Sequence, residues 1–246
     1  MQLLLLPGMD GTGRLFGPLL RALPSSLSPV VVTYPADQTC GYPELLPLVE
    51  AAAPTGAEYV VVGESFSGPL ALMLAAQHPA GLRGIILCAS FVRSPLPAYA
   101  RWLDALISPL WFRAVPRPVL HWALLGRHQT AALAELVEAA IGVVRPAVLA
   151  ARLRAILQVD VATELRTCQL PVLYLSATED RLVPPRSLAS ILELYPAVES
   201  VSLVGPHLLL QVAAQGAAEA IRRFAAACAS SNQPTEKQQE SPHDGR

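Results

Sequence analysis

The segment VVGESFSGPLAL, residues 61–72, places Ser65 between small residues where an apolar, strand-like run gives way to a helical pattern. A serine on a tight turn between a strand and a helix can act as a nucleophile, because the turn projects its hydroxyl at the edge of the sheet. Gly63 stands two positions before the serine, and Ser67 stands two positions after it, followed by Gly68. The alternative interpretation is that Ser65 only caps the helix that follows.

An attacking serine needs a base, and the base needs an acid that orients it. On this kind of turn the expected chain order is serine, then aspartate or glutamate, then histidine, with each residue following a strand. Asp180 follows the run PVLYLSA, and His207 follows the run ESVSLVG. Glu179 is a rival for the role of Asp180, and a loop or capping role is the alternative for both Asp180 and His207. The other histidines follow no predicted strand: His78, His121, His128 and His243.

A glycine-rich loop follows the first apolar run, in LLLLPGMDGTG at residues 3–13. A loop at this position can lend a backbone N–H to the negatively charged oxygen that forms when a serine attacks a carbonyl group. The predicted donors are the N–H groups of Met9 and Phe66. Phosphate binding is the alternative for a glycine-rich loop, but the segment has neither the G-x-G-x-x-G spacing nor a Gly-Lys-Ser/Thr sequence.

The elements that must position these residues alternate along the chain. Short runs rich in leucine or β-branched residues are separated by helical patterns, and near-continuous apolar runs are typical of parallel strands that are buried on both faces. Six such runs with helical crossovers predict an α/β fold with a mostly parallel, doubly wound sheet of about six strands. The runs span residues 3–6, 30–34, 59–63, 84–90, 171–177 and 199–205.

The uneven spacing of these runs predicts how the chain is organised. About eighty residues separate the fourth run from the fifth, and this stretch has helical patterns interrupted by prolines, with no strand signal. The last residues lose their hydrophobic periodicity, which is typical of disorder. We therefore expect core segments at 1–90 and 166–229, an inserted helical cap at 91–165 and a disordered tail at 230–246.

Composition and charge argue against several classes of protein. The 246 residues are 52% hydrophobic and 15% charged, with a formal net charge of −1 and no basic run, so a nucleic-acid partner is not expected. No stretch reaches the roughly 18 to 20 apolar residues that span a bilayer. The opening MQLLLLPGMD lacks the basic start of a secretion signal, which makes the cytoplasm the expected location. Neither a metal nor another cofactor is predicted, because the cysteines form no C-x-x-C pair: Cys40, Cys88, Cys168 and Cys228.

Four segments together resemble a known family. LLPGMDGTGRLFGPL, GESFSGPLAL, SATEDRLVP and VGPHLLLQ, in that order, are similar to the motifs of the α/β-hydrolase superfamily, in its subgroup of small, helically capped serine hydrolases. The resemblance extends over residues 3–225. It implies that Ser65 is the nucleophile, that His207 is the general base and acid, and that Asp180 orients His207. It also assigns the oxyanion hole to the two N–H groups named above.

Three features depart from the family pattern. Pro7 stands where a histidine often precedes the oxyanion glycine, and Ser67 replaces the second glycine of G-x-S-x-G. The chain also begins at the strand that is third in the full family sheet, so the usual first hairpin is expected to be missing. Six strands are then left, with VVVTY at one edge of the sheet and ESVSLVG at the other.

The expected substrate class follows from the predicted cap. The cap holds Trp102, Trp111 and Trp122, which are the candidate substrate-binding residues, although most residues of amphipathic stripes are expected to form the cap's own core. An apolar lid over a serine nucleophile favours a small apolar acyl or aryl ester or thioester, since polar substrates need several convergent polar groups. The sequence therefore predicts a carboxylesterase-like serine hydrolase that acts on a small-molecule ester.

Other function classes stay open at the level of sequence. An acyltransferase would use the same triad with an alcohol or amine in place of water, and a ligand-binding protein would use the fold without turnover. Membrane contact by the lid is a further accessory hypothesis. The arginines of the predicted cap could dock the acidic surface of a partner. An acyl carrier protein is then the candidate partner, as for the carrier-bound methyl esterases of the subgroup that the chain resembles. These arginines are otherwise expected on solvated helix faces: Arg93, Arg101, Arg113, Arg117 and Arg127.

Overall fold

The computed structural model describes residues 1–230, except for the side chains of Ala98 and Leu103. Its centre is a sheet built from the near-continuous apolar runs of the sequence. The strands are β1 (Gln2–Leu6), β2 (Ser28–Val31), β3 (Tyr59–Glu64), β4 (Leu82–Cys88), β5 (Val172–Ala177) and β6 (Glu199–Leu203). They lie in the order β2-β1-β3-β4-β5-β6, and every neighbouring pair is parallel.

Helices connect the strands and cover both faces of the sheet. They are α1 (Gly17–Ala22), α2 (Tyr42–Ala52), α3 (Gly68–Ala76), α4 (Pro109–Ala114), α5 (Arg117–Leu125), α6 (Ala131–Ile141), α7 (Pro146–Gln158), α8 (Ala162–Arg166), α9 (Pro185–Leu194), α10 (Leu209–Val212) and α11 (Ala214–Ser230). Tighter 3₁₀ segments cover Arg14–Phe16, Ser65–Ser67, Ala98–Leu106 and Gly126–His128. A proline stands at the first or second position of α1 to α5, α7 and α9. Proline is tolerated there because N–H groups in the first turn of a helix make no intrahelical hydrogen bond. No helix in the described part of the chain is long and apolar enough to cross a membrane.

The sheet separates two apolar layers. Leu4 and Leu6 of β1 lie in the layer that includes residues of α2, α3, α8 and α9. Leu3 and Leu5 lie in the opposite layer, with residues of α1, α10 and α11. Because successive side chains of a strand point to opposite faces, four consecutive leucines serve both layers, which is why the strand sequences are apolar throughout.

The predicted six-stranded, mostly parallel sheet is confirmed, with the second and the last run at its edges. The second strand ends earlier than its apolar run, at Val31 rather than at residue 34. Beyond the strand, the N–H of Val32 still donates to Leu5 of β1, and the N–H of Tyr34 donates to the carbonyl oxygen of Gly11 at 2.7 Å. The second bond ties the end of β2 to the glycine-rich loop that follows β1.

The regular secondary structure between β4 and β5 is helical within the described residues, apart from one isolated bridge between Arg93 and Asp160. The bridge joins the two ends of the segment, and the N–H of Val161 donates to the carbonyl oxygen of Val92 at 2.9 Å beside it. The division into core segments and a cap at 91–165 stays a prediction. Of the predicted disordered tail at 230–246, residues 231–246 lie outside the described residues.

Candidate active site

Ser65 lies on the turn between β3 and α3. All six residues of β3 are buried, and the strand ends at Glu64, directly before the serine. Ser65 has a φ of 50°, in the left-handed region that residues with a side chain rarely adopt. The main chain packs closely around this turn: a Cβ atom at Gly63 would lie 2.6 Å from the carbonyl oxygen of Ser67. A larger residue at position 63 therefore has no room, which explains the small residue two positions before the serine.

Three residues singled out from the sequence meet at the C-terminal edge of the sheet. The Oγ atom of Ser65 lies 2.9 Å from Nε2 of His207. On the other side of the ring, Nδ1 of His207 lies 2.9 Å from Oδ2 of Asp180 and 3.1 Å from Oδ1. In this geometry the imidazole can accept the serine proton at Nε2 while the carboxylate holds the proton on Nδ1.

The Asp180 carboxylate is fixed by main-chain donors. Its side chain is 6% exposed, and Oδ1 accepts hydrogen bonds from the N–H groups of Leu182 at 2.8 Å and Val183 at 2.9 Å. Burial raises the pKa of Asp180, but the hydrogen bond and charge of His207 and the two backbone donors lower it more, so the pKa lies below its ordinary value. The carboxylate therefore stays ionised beside the ring, where it can stabilise an imidazolium ion.

Glu179, the rival for the role of Asp180, is held by other partners. Its Oε1 lies 2.5 Å from Nη2 of Arg127, and its Oε2 lies 3.3 Å from Nε2 of His128. Both partners belong to the 3₁₀ segment after α5. The structure thus brings Asp180, and not Glu179, to His207.

The two predicted oxyanion donors belong to the turn at Ser65 and to the loop after β1. Phe66 directly follows Ser65, and its buried ring stacks on the ring of Tyr42 with centroids 4.6 Å apart. Met9 lies in the loop after β1, where the N–H of Gly11 donates to the carbonyl oxygen of Gly8 at 3.0 Å and closes a turn around Met9. Both segments are thereby held in one conformation, while the role of their N–H groups stays a prediction.

The family model described as serine aminopeptidase, S33, matches residues 45–204. The chain belongs to this hydrolase family. The match includes Ser65 and Asp180 and ends shortly before His207. A comparison with curated protein sequences gives no match.

Solved structures show the fold of this hydrolase in other proteins. A thermophilic esterase from Thermogutta terrifontis gives a TM-score of 0.77 at 17% identity, over 93% of this chain and 90% of its own. The enol-lactonase from Burkholderia xenovorans gives a TM-score of 0.76 at 15% identity, over 92% of this chain and 91% of its own. An esterase from a Rhodococcus species gives a TM-score of 0.73 at 20% identity, over 93% of this chain and 91% of its own. At these identities the comparison establishes the shared fold.

The hydrolase also contains a buried arginine that the sequence interpretation missed. Arg152 of α7 is fully buried, and its guanidinium donates to main-chain carbonyl oxygens in and near the glycine-rich loop. A signal for its burial is present in the sequence, since Val148, Arg152 and Ile156 recur every four residues and therefore share one face of α7. The other two are buried apolar residues, so the arginine occupies a position on the apolar stripe.

Hydroxyl groups of other residues support the turn that carries Ser65. The Oγ of Ser90, after β4, donates to the carbonyl oxygen of Ser65 at 2.6 Å. Tyr174 of β5 in turn donates to the carbonyl oxygen of Ser90 at 2.7 Å. A Cβ atom at Gly68 would collide with the Ser90 side chain, so a glycine is required at the start of α3. The sequence interpretation singled out neither hydroxyl, because residues that are far apart in the chain supply them.

A buried carboxyl group belongs to the residue directly before Ser65. Glu64 is 2% exposed, and its Oε1 accepts a hydrogen bond from the side-chain amide of Gln211 at 2.9 Å. Burial raises the pKa of Glu64 to about 7, although the hydrogen bond from Gln211 and the charge of His207 act in the opposite direction. Asp10, also buried, adds to the increase. The group is thus poised between its neutral and ionised forms near neutral pH.

The tryptophans of the helical segment lie at the surface. Trp102, Trp111 and Trp122 are 75%, 50% and 59% exposed, so the expectation that such residues form the cap's own core is wrong for them. The core positions are filled instead by residues such as Ile107 and Phe112, which pack against α7. The predicted role of the three tryptophans in substrate binding stays a prediction.

Charged groups of the helical segment are largely engaged. The arginines considered for an acidic partner include three that form ion pairs: Arg93 with Asp160, Arg117 with Glu138, and Arg127 with Glu179. Arg101 lies over the ring of Trp102, 5.0 Å from its centroid. Within residues 1–230, no three histidine, cysteine, aspartate or glutamate side chains are grouped so that they could hold a metal ion.

Proposed function

We propose that this chain is a serine hydrolase that cleaves a carboxylic ester or thioester of a small apolar acyl or aryl substrate. The observation that supports this most directly is the hydrogen-bonded series from Ser65 Oγ through His207 to Asp180. An isolated serine hydroxyl is a weak nucleophile at neutral pH, and this series supplies the base and the orienting acid that it needs.

The reaction runs through an acyl-enzyme. Ser65 Oγ attacks the ester carbonyl carbon while His207 Nε2 takes its proton, and the N–H groups of Met9 and Phe66 bind the oxyanion. His207 then gives the proton to the departing alkoxide or thiolate. In the second half, water attacks the acyl carbonyl carbon while His207 takes a proton from it, and His207 returns this proton to Ser65 Oγ as the acid product leaves.

Ester substrates fit the site better than the amine-terminated peptides that the family name suggests. An aminopeptidase needs a carboxylate that can pair with the free α-amino group of its substrate. The carboxylates that adjoin the triad already have partners: Asp180 binds His207, Glu179 binds Arg127 and His128, and Glu64 binds Gln211. We therefore propose neutral acyl or aryl esters as the substrate class.

The helical segment at residues 91–165 acts as the cap over the site in this proposal. It reaches the acid loop of the triad directly, because the guanidinium of Arg181 lies 4.6 Å from the ring centroid of Trp122. It also reaches the base loop, since the N–H of Leu208 donates to the carbonyl oxygen of Leu124 at 3.2 Å. Docking of an acyl carrier protein stays a prediction, and the ion pairs of the cap arginines leave less charge free for it.

The proposal is tested by hydrolysis of p-nitrophenyl esters of increasing acyl length. Wild type is compared with Ser65→Ala and with Ser26→Ala. The second variant is a matched control, because Ser26 is exposed and lies far along the chain from the turn that carries Ser65. Ser65→Ala should lower kcat by roughly 10³-fold or more, because triad members act as a unit, whereas Ser26→Ala should hydrolyse as wild type does. A fluorophosphonate should label the Ser65 peptide in wild type, and leucine p-nitroanilide should be a poor substrate.

Each other outcome points to a different function. Faster release of p-nitroanilide than of p-nitrophenol would favour a peptidase. Acyl transfer to an added alcohol that outcompetes water would favour an acyltransferase. Ester hydrolysis that is equally slow in wild type and Ser65→Ala, together with saturable binding of the ester, would contradict an enzymatic role and favour a ligand-binding protein.

A further inference from the structure

We propose that Arg152 is a positioning residue that fixes the loop Gly8–Gly11 and so orients the N–H of Met9 toward the oxyanion. The proposal rests on the proposed function, because only a carbonyl-attacking serine needs an oxyanion donor at this loop. It assigns a task to a charged residue that the reaction itself does not use.

The three hydrogen bonds of the Arg152 guanidinium all go to main-chain carbonyl oxygens, while its buried Nε has no hydrogen-bond partner among the residues that the structure describes. Its Nη1 donates to the carbonyl oxygens of Met9 and Asp10, both at 2.9 Å, and its Nη2 donates to the carbonyl oxygen of Pro35 at 2.8 Å. Arg152 is fully buried, so these carbonyl groups replace the water that a guanidinium normally binds. The planar guanidinium spreads these donors over two nitrogen atoms, whereas the three donors of a lysine ammonium group all radiate from one nitrogen.

The loop is shaped to receive this guanidinium. Gly11 has a φ of +72°, and a Cβ atom there would lie 2.5 Å from Nη1 of Arg152. The loop main chain therefore lies directly against the guanidinium, and only glycine leaves room for it. This close approach gives a physical reason for the second glycine of the GMDGTG segment.

Met9 is held on both sides by this arrangement. The peptide group that carries the Met9 N–H also carries the carbonyl group of Gly8, and that carbonyl accepts a hydrogen bond from Gly11 N–H at 3.0 Å. The next peptide group carries the carbonyl of Met9, which accepts from Arg152. The peptide group of the Met9 N–H and the next peptide group are thus both hydrogen-bonded, which keeps the Met9 N–H in one direction. An oxyanion donor is effective when it is preorganised in this way.

A neighbouring arginine distinguishes this role from a general contribution to packing. Arg154 lies two residues further along α7 and also donates to main-chain carbonyl groups, those of Asp104 and Ile107. These acceptors belong to the helical segment and not to the glycine-rich loop. Arg154 is therefore a matched control for any effect that passes only through the attachment of α7.

The experiment compares Arg152→Lys and Arg154→Lys in the full chain. For Arg152→Lys we expect kcat on p-nitrophenyl acetate to fall roughly 10- to 100-fold, somewhat less than the 10² to 10³ typical for complete loss of a donor, while KM changes little. A trifluoromethyl ketone, whose adduct with Ser65 has an oxyanion, should bind more weakly by a similar factor. Hydrogen exchange of the peptide that contains Met9 to Gly11 should become faster. Arg154→Lys should leave all of these quantities near their wild-type values.

Several results would overturn the proposal. Unchanged exchange of the loop in folded Arg152→Lys would show that Arg152 does not fix it, and equal losses in Arg154→Lys would assign the effect to helix packing. If wild type hydrolyses no ester, the proposed function fails, and the exchange comparison still decides whether Arg152 holds the loop. If Arg152→Lys does not fold, Gly11→Ala is used instead, since its methyl group would displace the same guanidinium; unaltered exchange and kcat in that variant would contradict the proposal.

Discussion

The Ser67 hydroxyl donates a hydrogen bond to the main-chain carbonyl oxygen of Pro7. Because this hydroxyl has a single hydrogen, the Tyr34 hydroxyl, 2.7 Å from Ser67 Oγ, must act as the donor in that second bond. The turn that carries Ser65 is thereby bonded to the loop that begins at Pro7. Ser67 stands where the family motif has a glycine, and it makes a connection between the two segments that glycine could not make.

Ser67→Ala should therefore reduce both stability and activity. Ser67 is fully buried, and its loss leaves the Pro7 carbonyl and the Tyr34 hydroxyl without their partner. We expect the free energy of unfolding to fall by about 1–3 kcal/mol, the usual cost of a buried polar group left unpaired, measured by urea denaturation. Tyr34→Phe is the control, because it keeps the bond to Pro7 and should retain kcat. Equal kcat for wild type and Ser67→Ala would show that the connection does not affect catalysis.

Asp180→Asn should abolish most of the activity without unfolding the chain. An amide cannot hold the proton on Nδ1 of His207, so the ring loses the tautomer that accepts the serine proton, and kcat should fall roughly 10⁴-fold. Glu179→Gln is the matched control at the adjacent residue, whose partners are Arg127 and His128. It should change kcat little in steady-state assays. A larger loss for Glu179→Gln than for Asp180→Asn would reverse the assignment of the acid.

Glu64→Gln should alter how stability depends on pH. Burial raises the pKa of Glu64 from its ordinary value of 4.5 to about 7, so the folded chain binds this proton more tightly than the unfolded chain does. Between these two values the folded state carries more protons, and the contribution of Glu64 to stability falls as pH rises through that window, by on the order of 3 kcal/mol in total. Glutamine does not titrate, so the variant should lack this loss.

Urea denaturation at pH 5 and at pH 8 measures this difference. The free energy of unfolding of Glu64→Gln minus that of wild type should be more positive at pH 8 than at pH 5. Glu50→Gln, at an exposed position of α2, controls for the removal of one carboxylate. A constant difference between wild type and Glu64→Gln at both pH values would contradict a raised pKa for this group.

Acrylamide quenching of tryptophan fluorescence tests the surface position of the three tryptophans. Trp102, Trp111 and Trp122 are each at least half exposed, so a water-borne quencher should reach nearly all of the emission. A substrate-like apolar ligand that packs against any of them should shield that residue and lower the quenching. Weak quenching without a ligand would instead indicate that these residues are buried in solution, as the amphipathic pattern of the sequence suggested.

Local sequence patterns were sufficient to predict the sheet and to propose Ser65, His207 and Asp180 for the candidate triad, with Glu179 as a rival for Asp180. Strand positions follow from apolar runs that serve both faces of the sheet, and this information lies within each run of the chain. Ser65 and His207 could be chosen because each lies on the segment that follows a strand, and the carboxyl ends of parallel strands meet at one edge of the sheet. Arg152 also left a local signal on α7, but a stripe position alone does not say what the residue contacts.

Only the tertiary structure decided between side chains that are neighbours in sequence. Asp180 and Glu179 are adjacent. Two backbone donors fix Asp180, and residues of the 3₁₀ segment after α5 bind Glu179, so these contacts determine which carboxylate faces His207.

The exposure of Trp102 likewise depends on the tertiary structure, because other residues of the helical segment, such as Ile107 and Phe112, pack against α7 in its place. By itself the sequence determined the order of the elements and the residues at the strand ends, because both are encoded locally. The directions of the loop side chains and the burial of Arg152 depend on contacts between distant segments, so only the folded chain decides them.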